Sequence, residues 1–137
     1  MNRSAYSRRA TTALIVSTDA LGAALVGVAT ELSGFRVAYP EDDESVQDAI
    51  RRAKPVVVLV DATHPIVSDP ASLGPALMTG ASVVFYGRAE RLRDLRPAAS
   101  IASASTIAFP DEIDRLPELL TAAAARQARG PRGTRSE

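Results

Sequence analysis

The chain has 137 residues, 46% of them apolar, with 16 basic and 16 acidic side chains and a formal net charge of zero; this describes one compact domain with its ends attached and leaves no room for a second. The charge balance gives no general pull toward nucleic acid or anionic lipid, and the absence of cysteine excludes a disulfide framework, a thiolate metal site and a thiol nucleophile. No apolar run approaches the ~20 residues of a membrane span, and the basic start lacks the apolar stretch of a secretory signal, so a cytoplasmic protein is expected.

Residues 1–11 read as a polar, basic leader. Residues 13–17 form a short aliphatic run of the kind found in a strand buried on both faces, closed by Ser17, Thr18 and Asp19. The next segment places Leu21, Leu25, Val28 and Leu32 along one stripe at helical spacing, which predicts a helix with that stripe facing the core. Gly34 stands where a left-handed C-cap residue belongs. Residues 35–39 predict a second strand and residues 40–44 a polar loop, and Ser45 is placed to cap a helix that turns Val46, Ile50 and Ala53 inward. Pro55 stops that helix, and residues 56–60 are the strongest strand signal in the chain, ending at Asp61.

Residues 62–70, with two prolines and His64, predict a loop, and residues 72–79 support only a short helix. A fourth strand over residues 82–86 leads to Gly87, followed by a charged helix over residues 88–96 with Leu92 and Leu95 inward. Residues 105–109 give a fifth strand. The last helix is predicted to begin at Pro117, tolerated in the first turn, with Leu119, Leu120 and Ala123 toward the core. The arginine- and glycine-rich segment 127–137 reads as a disordered tail.

Strands alternating with helices in this order predict an α/β fold, a doubly wound five-stranded parallel sheet of the flavodoxin-like (βα)5 type, occupying residues 12–126. Ligands and reacting groups of such sheets sit at the carboxyl ends of the central strands. That places Ser17, Thr18, Asp19, Asp61, Tyr86 and Phe109 at the candidate site.

The order of elements, together with the run Val56 to Pro65 in which a strand ends at Asp61 and a proline follows, resembles the receiver domain of bacterial two-component response regulators, the CheY-like family, over roughly residues 12–125. The resemblance implies that Asp61 is the candidate phosphoacceptor. It also implies two acidic residues after the first strand to hold magnesium, a hydroxyl residue ending the fourth strand, and a lysine before proline ending the fifth. Here Ser17 and Thr18 stand where the acidic pair is expected, Asp19 lies one place late and is placed to cap the following helix, Tyr86 takes the hydroxyl position and Phe109, before Pro110, takes the lysine position. Thr106 stands where the family often has an aromatic switch residue. A pocket so altered lacks both the dianionic corner that magnesium needs and the ammonium that pairs with phosphate.

The remaining signals are local. His64, the only histidine, has no second histidine or cysteine to share a metal, and the acidic run from Glu41 to Glu44 reads as a solvated turn. Hydroxyls and amides after the first strand suggest a phosphate or flavin site, although glycine and aromatic residues are few there. Arg91, Arg93 and Arg96 form a basic block, and Asp111, Asp114 and Glu118 an acidic one, flanking the fifth strand; in receiver domains the corresponding face serves dimerisation or docking. The expectation is a stand-alone, degenerate receiver-like signalling domain, not an enzyme, without metal or cofactor, acting through contacts with a signalling protein or a second copy of itself, with no specific nucleic-acid or membrane partner. A regulator phosphorylated at Asp61 is the alternative, and a small-molecule or flavin-binding domain the third.

Overall fold

The computed structural model describes residues 11–95 and 104–129. Five parallel strands, β1 (Thr12–Val16), β2 (Arg36–Ala38), β3 (Val57–Asp61), β4 (Ser82–Gly87) and β5 (Ser105–Ala108), form one sheet in the order β2-β1-β3-β4-β5. Among the described residues the α-helices are α1 (Ala20–Leu32), α2 (Val46–Ala53), α3 (Gly74–Met78), α4 (Ala89–Asp94) and α5 (Leu116–Arg129). This is the expected doubly wound, flavodoxin-like architecture, with its topological switch between β1 and β3. Paired register sets Val16 beside Val60 and Asp61 beside Tyr86, so the ends of β1, β3 and β4 meet at one edge.

Alternation along each central strand divides the core between the two faces of the sheet. Leu14, Val16, Val58, Val60, Val83 and Phe85 point toward α2, α3 and α4, and pack with Ile50, Leu73, Ala76 and Leu95. Ala13, Ile15, Val57, Leu59, Val84 and Tyr86 point toward α1 and α5, meeting Val26, Phe35, Leu116, Leu120 and Ala123. Both faces of β3 are therefore covered, which is why its sequence is an unbroken apolar run.

The helix boundaries follow local chemistry. Ser45 caps α2 by accepting from the Asp48 amide at 3.0 Å, and Asp19 caps α1 by accepting from the amides of Leu21 and Gly22 at 3.3 and 3.1 Å. Gly34, at φ +92°, follows the end of α1 in the conformation glycine adopts most cheaply. Between β3 and α3 the chain makes two 3-10 turns, Pro65–Ser68 and Pro70–Leu73, the first capped by His64, whose Nδ1 accepts from the Ile66 amide at 3.0 Å.

Two expectations are corrected. The stripe predicted to face the core is exposed: Leu21 is 69%, Leu25 53%, Val28 55% and Leu32 84% accessible, while Val26, Gly27 and Thr30 are buried. The reason is close approach. A Cβ placed on Gly27 would collide with the Tyr39 hydroxyl and lie 3.8 Å from Ile15 Cδ1, so α1 comes closest to the sheet at Gly27, where no side chain fits. Thr30 is accommodated on the same side because its hydroxyl donates to the Val26 carbonyl at 2.7 Å. The second correction concerns residues 127–129, expected to open the tail but continuing α5 to Arg129. The alanine-rich run before them propagates a helix, and no breaker intervenes before Gly130.

Candidate functional site

Asp61 ends β3 at the sheet's carboxyl edge and is 9% exposed. Its Oδ1 accepts from the backbone amide and the hydroxyl of Thr63, both at 2.8 Å. Its Oδ2 faces the Ser17 hydroxyl at 3.2 Å, the Thr18 hydroxyl at 3.3 Å and the Thr18 amide at 3.4 Å. Burial alone would raise the pKa of this carboxyl, but the donors of Thr63, Thr18 and Ser17 outweigh it and hold the group below its ordinary value. Asp61 is thus an ionised carboxylate stabilised by neutral hydrogen-bond donors on both oxygens.

The predicted residues do converge. A cleft of about 460 Å³ at this edge is lined by Asp19, Asp61, Thr63, Tyr86 and Phe109 together with Leu21 and Leu25 of α1. Asp19 points its carboxylate at the first turn of α1, and its reading as a helix cap is the one observed. Tyr86 is buried, with its hydroxyl lacking a hydrogen-bond partner among the described residues and its ring meeting Phe109 edge to face, centroids 5.9 Å apart at 72°. Burial pushes its phenol up to about 12; the nearby Ser17 hydroxyl offsets part of this, while Asp61 and Asp19 add to it, so Tyr86 is a neutral group at neutral pH. Phe109 precedes a cis bond to Pro110. A larger groove, about 730 Å³, lies elsewhere, between α2 and α3 near Pro55 and Met78, and contains none of the predicted residues.

Thr63 was not foreseen, although the pattern Asp61-Ala62-Thr63 carries the signal of an Asx turn, in which an aspartate accepts from the amide two residues on. His64 is a loop residue as expected, half-buried, with burial lowering its pKa and the Asp61 charge partly opposing that. In the acidic run, Glu44 pairs with Arg52 at 2.8 Å and accepts from the Glu41 amide, so one of its four carboxylates ties the loop to α2. Thr106 is half-buried in β5.

Arg91 and Arg93 on α4, and Asp111, Asp114 and Glu118 before and within α5, are exposed and flank the edge strand β5. Arg96 lies outside the described residues. Leu95 is buried in the core and Leu92 packs partly against it, in keeping with the inward placement expected of both, so neither supplies an exposed apolar centre to this face. Among the described residues no group of three or more acidic, histidine or cysteine side chains could hold a metal ion, and no helix is long and apolar enough to cross a membrane.

No family model matches the sequence, and neither does any curated protein. Solved structures do. A response regulator receiver domain protein from Clostridium thermocellum is similar with a TM-score of 0.66 and 17% identity, over 87% of this chain and 98% of that one. The receiver domain of a Francisella response regulator gives 0.68 and 16%, over 85% and 98%. A CheY-like protein from Pseudomonas aeruginosa gives 0.66 and 16%, over 82% and 98%. At these identities the likeness is one of fold, and the fold is that of receiver domains.

Proposed function

We propose that this chain is a receiver-like signalling domain that acts through protein contacts and does not use metal-dependent phosphorylation of Asp61. The observation that carries this reading is the donor cage. Magnesium takes hard oxygen ligands in near-octahedral array and gives up its waters reluctantly, so it is bound where carboxylates converge. Ser17 and Thr18 instead turn hydroxyl and amide protons toward Asp61, and Asp19 is committed to the α1 cap. The residues present do not fit the ion that the fold family implies.

Without that cation, phosphoryl transfer loses the charge that would neutralise the transferring group, and Phe109 offers none in its place. Tyr86 and Phe109 fill volume beside Asp61 with a neutral phenol and an apolar ring. Output then depends on surface recognition. The opposed charges along α4, β5 and α5 suit a signalling protein bearing a matching pattern, and because no exposed leucine centres that face among the described residues, the contact is fast, oriented and salt-sensitive.

Calorimetric titration with millimolar magnesium tests the reading. No saturable site is expected. A sub-millimolar site lost in Asp61→Ala would overturn it.

A further inference from the structure

Four of the seven large hydrophobic residues exposed among the described residues, Leu21, Leu25, Val28 and Leu32, lie on the outer face of α1. The inner face of that helix is also apolar, and its only charged residue is Glu31. A helix hydrophobic all round is one that is covered on every side in its working state. The usual arrangement is also inverted: Val26, Gly27 and Thr30 are turned inward while three leucines and Val28 face outward. Packing among the described residues therefore does not account for these four side chains.

We propose that α1 is a self-association element, pairing with α1 of a second copy about a two-fold axis. Steps of four, three and four residues along the stripe are those of a coiled-coil seam with Leu21 and Val28 at one core position and Leu25 and Leu32 at the other. Such a seam is complementary to itself, as a two-fold contact requires. With no charge on the stripe, two copies meet without like-charge repulsion. At the exposures observed the stripe is on the order of 400 Å² of apolar surface per copy, large enough to mark an interaction site; a pair would bury roughly twice that, below the size of stable specific interfaces and in the range of weak, transient ones. A reversible dimer of micromolar or weaker affinity follows. Because Leu21 and Leu25 also line the Asp61 cleft, the second copy would sit at its mouth.

Sedimentation of the full chain over a range of concentrations tests the proposal, with wild type, Leu25→Arg and the Arg91→Glu, Arg93→Glu double variant. Wild type and the double variant are expected to show the same monomer–dimer equilibrium, insensitive to salt. Leu25→Arg should weaken it about tenfold or more while leaving the circular dichroism and melting temperature unchanged, since Leu25 is exposed. The cysteine-free chain offers a second measurement. Single variants Leu25→Cys and Val28→Cys, alone and mixed, should form disulfide-linked dimers on mild oxidation, whereas Arg91→Cys should not. A chain that stays monomeric throughout, a dimer that survives Leu25→Arg, or cross-linking through Arg91→Cys in place of the α1 variants would overturn the proposal.

Discussion

Thr63 brings its backbone amide and its hydroxyl to the same oxygen of Asp61, each at 2.8 Å. These are the shortest bonds to this carboxylate, and they form within a three-residue turn, so they cost little ordering of distant chain. Both favour the ionised group. Thr63→Val keeps the branched shape and the amide but removes the hydroxyl, and should lower stability by about 1 kcal/mol, the ordinary worth of one such bond. Urea denaturation at neutral pH checks this. The sign with pH follows from the depressed pKa: the contribution of Asp61 is full above its ordinary value near 3.8 and is lost as pH falls through the lower folded value. In Thr63→Val the pKa of Asp61, followed by NMR, should move upward; an unchanged titration would show that the hydroxyl does not hold the carboxylate.

His64 titrates in the opposite sense to a histidine gaining a partner. Burial lowers its pKa from about 6.5, so the unfolded chain takes up the proton first. Its contribution is present above that value and is lost as pH falls below it toward the folded value. His64→Asn keeps an acceptor for the Ile66 amide without a titrating ring. Thermal melts between neutral pH and pH 5 should show a shallower decline for this variant than for wild type; equal slopes would remove His64 from the account.

The charged face along β5 should behave as a docking surface governed by long-range attraction. Exposed pairs of this kind contribute about 0–1 kcal/mol each, so the effect should appear chiefly in association rate and salt dependence. Capture of partner proteins from native extract should fall for the Arg91→Glu, Arg93→Glu variant at low salt, and wild type should lose the same partners as salt rises. Equal capture by both proteins at low salt would place the working surface elsewhere.

The buried strands were readable from the sequence because a strand covered on both faces requires apolar side chains at every position, as residues Val57 to Val60 show. The convergence of Ser17, Asp61, Tyr86 and Phe109 followed from the rule that strand ends meet at one edge. What failed was the orientation of α1. Periodicity identifies a stripe but does not say whether the wall it meets is near or far, and here Tyr39 and Ile15 stand close enough that Gly27, not leucine, faces them. Thr63 was missed for a related reason. Attention to residues that could carry a charge or a metal passes over a threonine whose role is to donate protons to one.

The central claim is that Asp61 is held by donors and is not a site of metal-assisted phosphorylation. Intact mass spectrometry after incubation with a small-molecule phosphodonor and magnesium tests it most directly. The account predicts an unchanged mass for wild type and for Asp61→Asn alike. A gain of one phosphoryl group in wild type, absent in Asp61→Asn, would contradict it.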